Sequence, residues 1–198
     1  MVGDIAQHLR AALEKTSEHS SDYDLNGAVN LPPNRLLRPA AVLVGVRETD
    51  QGAQVLLTKR SSALKHHPGQ IAFPGGKQDA DDPDLTSAAL REAREEVGLP
   101  PQNVEVLGHL PTHETVTGFV VTPVVARLVK SFEERPEAGE VQEVFWVPLA
   151  HLADLQNYLV QSRRWRGTYR HFYTVPFGPY YIWGATAAVL RGLAARLA

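Results

Sequence analysis

The chain has 198 residues, 43% hydrophobic and 21% charged, with a formal net charge of −2 and no cysteine. That length gives one ordinary domain with a real core, with or without extensions. The charge argues against a dedicated nucleic-acid binder, and the missing cysteine excludes disulfides, thiolate metal sites and a cysteine nucleophile. No apolar run reaches the ~18 residues of a membrane-spanning helix, and the polar N-terminus lacks a signal-peptide core. A cytoplasmic soluble protein, with neither nucleic acid nor membrane as partner, is the expectation.

Asp4 can cap a first helix in which Ile5, Leu9, Ala12 and Leu13 share a face. Residues 17–33 are polar and turn-rich and read as a loop. Residues 1–35 therefore form a helix-and-loop extension ahead of a domain over 36–198. Residues 40–46 (AAVLVGV) are an apolar run of strand length. With 54–58 they bracket a polar turn at 48–53, the pattern of a hairpin. A Gly-Pro-rich turn, FPGG at 73–76, an acidic loop and a helix-like TSAALREAREEVGL follow. Gly98 supplies a C-terminal stop, and Pro100 and Pro101 prevent any continuation. Residues 104–110 and 119–129 are valine-rich strands, with Pro123 expected at an edge, bulge or break. Residues 145–147 form a further strand, followed by a short helix through His151 and Leu155. Residues 169–175 alternate as a strand, and 182–197 read as a closing helix. Strands interrupted by two or three helices indicate an α/β protein, an α/β/α sandwich on a mixed β-sheet.

The segment 56–99 carries the chemistry. Near the end of its helix sit Arg91, Glu92, Glu95 and Glu96. The carboxylates, spaced i, i+3 and i+4, project within about a third of the helix circumference. Three like charges so close repel one another, and a hard divalent cation such as Mg²⁺ resolves the conflict. Ala89, Leu90, Ala93 and Val97 form the packing stripe, so the helix is expected to bury one side and hold the acids on the other. The alternative leaves Glu95 and Glu96 solvated and paired with Arg91 and Arg94.

Residues 91–99 (REAREEVGL), with Gly76 upstream, resemble the Nudix box. Asp82 stands where that box has a glutamate, and one extra residue separates it from Arg91. The run LLTKRS at 56–61, then His67, Gly69-Gln70 and FPGG, is similar to the signature of the coenzyme A pyrophosphatase branch. That branch also tends to carry the lengthened box with Asp. Residues 117–125 (TGFVVTPVV) and 182–190 (IWGATAAVL) resemble it too, so the likeness covers most of the chain from Pro39 onward. It implies the Nudix-type α/β/α sandwich and hydrolysis of the pyrophosphate bond of coenzyme A or its derivatives, dependent on Mg²⁺ or Mn²⁺. The products would be 4′-phosphopantetheine and adenosine 3′,5′-bisphosphate. Other readings are a Nudix hydrolase of another nucleoside diphosphate derivative, such as ADP-ribose or a dinucleotide, and a Nudix module that binds a nucleotide without cleaving it. Either way a monomer or homodimer acting on a small molecule is expected.

Pyrophosphate hydrolysis needs positive charge on the phosphoryl oxygens and an activated water, and metal ions supply both. Glu92, Glu95 and Glu96 are the expected metal ligands, with Glu95 also a candidate for orienting water. Arg91 completes the catalytic group with Glu92 and Glu95, by holding a glutamate across a turn rather than touching phosphate. Gly75 and Gly76 let the backbone approach a metal or phosphate, or simply make a tight turn. Asp79, Asp81 and Asp82 read as a solvated acidic loop rather than as metal contacts. Lys59, Arg60, Lys65, His66 and His67 form a basic run suited to the 3′-phosphate of coenzyme A. Within it Lys59, Arg60 and His67 are the substrate-binding candidates, although Lys59 and Arg60 alternate across a strand and should not both face the ligand. Arg163-Arg164-Trp165-Arg166 with Arg170 could stack adenine or bind RNA, but the weak overall charge favours a surface hairpin or dimer contact. Glu140 and Glu143 precede the strand FWVPL, and Glu140 is an alternative base.

Overall fold

The apolar run after Pro39 becomes the spine of the structure. The computed structural model describes residues 5–16, 18–27, 35–165 and 167–198; Asp4, Arg166 and parts of the expected loop at 17–33 lie outside them. In chain order the elements are α1 (Ile5–Glu14), β1 (Ser20–Ser21), β2 (Arg38–Thr49), β3 (Gly52–Arg60), β4 (Ile71–Ala72), β5 (Gly75–Lys77), α2 (Leu85–Val97), β6 (Val104–His109), β7 (His113–Glu114), β8 (Phe119–Leu128), β9 (Val141–Pro148), α3 (Leu149–Ala153), β10 (Leu159–Trp165), β11 (Thr168–Thr174) and α4 (Ala185–Leu197).

β2 pairs in parallel with β8 and antiparallel with β3 and β5. The result is a mixed sheet in the order β1-β7-β8-β2-β3-β4, with β6 on β8 and β9 on β3. β2 is nearly continuous in apolar residues because both its faces are covered. On one face α2 packs Ala88, Ala89, Ala93 and Val97 over Ala41, Leu43, Leu56, Val124 and Ala126. On the other, Leu9, Leu152, Leu190 and Leu193 from α1, α3 and α4 cover Val44, Val46, Val55, Leu57 and Val147. This is the expected α/β/α sandwich on a mixed sheet. The described part of the N-terminal extension shares that second core. Arg196 at the end of α4 donates to the carbonyls of Ala12 and Lys15, and buried His113 joins Ser20 (2.9 Å) to Asp22 (3.1 Å).

Several details depart from the sequence reading. The first hairpin is tighter than the expected turn at 48–53: Thr49 pairs with Gly52, leaving only Asp50 and Gln51 in the loop. The closing helix starts at Ala185 rather than at 182, because Trp183 is still bridged to Thr174 and Gly184 has φ 65°. The surface hairpin expected at Arg163, Arg164 and Arg170 reaches back to Leu159, where β10 pairs with β11 as a separate ribbon. Pro123, by contrast, sits where proline is tolerated. Its carbonyl accepts from Leu110 N–H at 3.0 Å on the side where β6 gives way to β7. The missing N–H faces that same break, so no ladder bond to β2 is lost.

Candidate active site

The box helix is held at both ends. Asp84 accepts from Ser87 N–H at 2.7 Å, and Gly98 closes the helix in the left-handed region at φ 75°. The loop at 129–140 then returns across that end, with Arg135 N–H on the Val97 carbonyl and Glu137 N–H on the Glu96 carbonyl, both 2.9 Å. Glu134 pins the loop by accepting from the indole N–H of Trp146, whose ring carries Arg47 at 3.7 Å.

Glu96 corrects the expectation that the acids all stand on the solvent side. It is 4% exposed, and its carboxylate accepts from Gly75 N–H at 3.1 Å. Burial pushes its pKa up to about 8; the repulsion of Glu92 and Glu140 adds to this, and the Gly75 bond and the positive charge of Arg60 oppose it. Glu92, half-buried, is also raised, first by burial and then by Glu95 and Glu140, against the pull of Arg91. Glu95 is the outermost of the three, its side chain 58% exposed.

Arg91 ties the cluster together. Its Nε and Nη2 grip Asp82 at 3.0 and 2.9 Å, its Nη1 reaches Glu92 at 3.1 Å and Glu95 at 3.0 Å, and Nη2 also donates to the Lys77 carbonyl. The Arg91 guanidinium holds the Asp82 carboxyl below the usual carboxylate range. Asp82 is thus no member of a solvated loop, unlike the exposed Asp79 and Asp81. Its place as the box's stand-in acid was the signal for this role.

Gly75 and Gly76 are required by close approach. A Cβ on Gly75 would lie 2.4 Å from the Ala41 carbonyl oxygen, and one on Gly76 would lie 2.4 Å from Glu92 Oε1. The turn is fastened to β2 by Leu43 N–H on the Pro74 carbonyl at 2.8 Å. The backbone and two carboxylates therefore meet with no side chain between them.

The basic run divides. Strand alternation puts Lys59 on the face of Val55 and Leu57, opposite Glu143 across the strands. After a bulge between Lys59 and Arg60, Arg60 acts electrostatically on Glu96. Lys65, His66 and His67 are exposed on the loop at 61–70. That loop closes on itself, with Gly69 N–H on the Arg60 carbonyl (3.2 Å), Arg60 N–H on that of Gln70 (2.9 Å) and Gln70 N–H on that of His67 (3.2 Å). His67 itself has φ 54°, an uncommon conformation for a residue with a side chain. Glu140 begins the next wall, its carbonyl receiving Ser61 N–H at 2.8 Å.

Among the described residues no three His, Asp or Glu side chains converge as a ready metal cage, because Arg91 lies between Glu92 and Glu95. The donor set nevertheless suits a hard divalent cation. Two like-charged carboxylates are drawn out of water beside a glycine backbone, and all donors are oxygens.

Comparison with known proteins decides the family. A model of the NUDIX domain matches residues 36–168. The chain belongs to the Nudix family. It is 42% identical over 168 residues to an uncharacterized Nudix hydrolase, NudL, of Enterobacter sp. (strain 638), covering 81% of this chain and 83% of that one. It is 44% identical over 160 residues to NudL of Salmonella newport (strain SL254), with the same coverage. Among solved structures, a MutT/nudix family protein from Enterococcus faecalis matches with TM-score 0.56 at 16% identity, over 85% of this chain and 65% of that one. The NUDIX domain of Shewanella oneidensis NrtR, solved with ADP ribose, matches with TM-score 0.53 at 20% identity, over 85% and 95%. These two likenesses concern the fold. The chain is a Nudix hydrolase, and none of its described helices is long and apolar enough to cross a membrane.

Proposed function

We propose that this Nudix hydrolase cleaves the pyrophosphate bond of coenzyme A or its derivatives, giving 4′-phosphopantetheine and adenosine 3′,5′-bisphosphate. One observation carries the reading. The stretch that resembles the coenzyme A pyrophosphatase signature runs from β3 through the loop at 61–70 to Gly75, whose N–H bonds Glu96. Signature and box thus form adjoining walls of one site. No acidic residue occurs from Lys59 to Lys77, so the segment itself offers cations and no carboxylate to a doubly charged phosphate monoester.

Glu92, Glu96 and Glu95 would hold Mg²⁺ or Mn²⁺, which supplies charge neutralisation of the phosphoryl oxygens and a more acidic water. The chain's own residues do the rest. Arg91, anchored on Asp82, keeps Glu92 and Glu95 apart and aimed. Arg60 and the loop bearing Lys65 and His67 bind the anionic substrate. Exposed Glu95 orients the attacking water and accepts its proton, with Glu140 across the site as the other carboxylate able to do so. Gly75 and Gly76 let the backbone lie directly against β2 and Glu92, which keeps the carboxylates close to the turn.

The test is product analysis by mass after incubation with coenzyme A, acyl coenzyme A, ADP-ribose and a dinucleotide in ¹⁸O-labelled water with Mg²⁺. Acyl coenzyme A should give acyl-phosphopantetheine and adenosine bisphosphate, with label on a phosphate. Release of free fatty acid, or turnover of ADP-ribose or the dinucleotide but not of coenzyme A, refutes the reading.

A further inference from the structure

The ribbon formed by β10 and β11 takes no part in the hydrolase site, and it exposes large apolar and basic side chains. Every residue from Leu159 to Arg164 is exposed, and among the described residues only β11 pairs with β10. An uncovered strand edge of this kind is a template for pairing with another chain. Leu159 and Val160 are each 54% exposed and Tyr169 is 69% exposed, while Tyr181 adjoins them through its bond to Gln161. Arg163 faces Arg170 across the ribbon and Arg164 faces Tyr169. Like charges directly opposite are unfavourable; Arg170 leans on the Tyr23 ring, and the ion pairs among the described residues include neither Arg163 nor Arg164.

A complementary surface lies elsewhere on the same chain. The exposed loop at 131–140 carries Glu133, Glu134, Glu137 and Glu140 against the single Arg135. It borders a groove of about 180 Å³ whose apolar lining includes Val129, Phe132 and Trp146. Arg47 and Lys130 also line the groove, opposed by Glu48, and Arg47 is engaged by Glu134 and the Trp146 ring. Val129 is 45% exposed. Ribbon and groove are joined by no hydrogen bond or ion pair among the described residues of one chain.

We propose that the ribbon of one copy docks on the loop and groove of a second copy, reciprocally about a twofold axis. Tyr169 enters the groove beside Phe132, and Arg163 and Arg164 meet the glutamates of the loop. Reciprocal contacts close the assembly as a dimer instead of a filament.

Sedimentation of the full chain over a micromolar concentration series tests this. A dimer is expected that loosens with added salt. Arg163→Glu with Arg164→Glu, and separately Tyr169→Ser, should each weaken it at least about tenfold, with unchanged circular dichroism. The Glu133→Arg, Glu137→Arg chain should also be weakened, and mixing it with the Arg163→Glu, Arg164→Glu chain should restore a dimer. A monomer at every concentration, a dimer indifferent to these substitutions, or failure of the reversed pair to reassemble overturns the proposal. So does a monomer whose ribbon instead retains heparin or oligonucleotide in an arginine-dependent manner.

Discussion

Glu96→Gln separates two consequences of burying a carboxylate beside Gly75. In the metal-free protein, burial and the Glu92 charge raise this carboxyl from 4.5 to about 8. The folded chain therefore holds the proton more tightly than the unfolded chain. The associated stability is fully present below about pH 4.5 and is lost as the pH rises through about 8. A change of that size corresponds at most to ~5 kcal/mol. Relaxation and water entry around the ionised group reduce it, so a loss of roughly 2 kcal/mol or more is expected between about pH 5 and pH 9. Glutamine keeps an acceptor for Gly75 N–H and cannot ionise, so the variant should hold its stability over that range. Divalent metal should restore the wild type at high pH and leave the already pH-independent stability of the variant little changed, while the variant's kcat should fall at least ~100-fold, about 3 kcal/mol in the barrier. Urea unfolding at several pH values, with chelator and then with Mg²⁺ or Mn²⁺, measures the first effect, and steady-state kinetics measures the second. If wild type and variant lose stability in parallel, or if the variant keeps near-normal kcat at saturating Mg²⁺, the assignment of Glu96 is wrong.

Gly76→Ala places a Cβ 2.4 Å from Glu92 Oε1, so it should cost roughly 1 to 3 kcal/mol in unfolding experiments and weaken metal binding in a titration. Arg91→Lys removes the two-pronged grip on Asp82. A kcat loss of at least ~10-fold with an intact fold is expected, since an ammonium cannot replace the fork, and normal kinetics would refute the clamp. Coenzyme A should exceed 3′-dephospho-coenzyme A in kcat/KM by about tenfold or more. Lys65→Ala with His67→Ala should collapse that ratio; equal values for the two substrates in the wild type remove the loop from phosphate recognition.

The fold was legible wherever burial leaves a pattern. The runs at 40–46 and 54–58 mark the middles of β2 and β3, whose residues are shielded by helices on both faces. Their ends are exposed at Arg38, Glu48, Thr49 and Gly52, and there cross-strand pairing, not hydrophobicity, sets the length. The same applies to β1, β4 and β7, each two residues long and defined by the neighbour it meets. β10 was legible only as part of a surface hairpin, because Leu159 to Arg164 are all exposed and nothing imposes alternation on them. Even so, Arg163, Arg164 and Arg170 do fall in a surface ribbon, the placement that the weak overall charge favoured.

The box helix shows how the same periodicity conceals the decisive side chain. At 3.6 residues per turn, Glu96 lies about 20° from Ala89 and about 60° from Ala93, inside the packing stripe, whereas Glu95 lies more than about 100° from Ala89. Spacing alone groups the three acids by their proximity to one another. Their positions relative to the alanines divide them into an inner acid, a half-buried one and an outer one. Alanine and glycine make the inner position tolerable, because Ala89 and Ala93 let α2 lie close on β2 and Gly75 offers its N–H to the carboxylate. The buried charge then has the Gly75 N–H and the positive charge of Arg60 to favour its ionised form, against Glu92 and Glu140. A site arranged in this way is unfavourable to ionise when empty and becomes favourable when a divalent cation arrives. That is why the packing stripe and the acidic cluster have to share one helix.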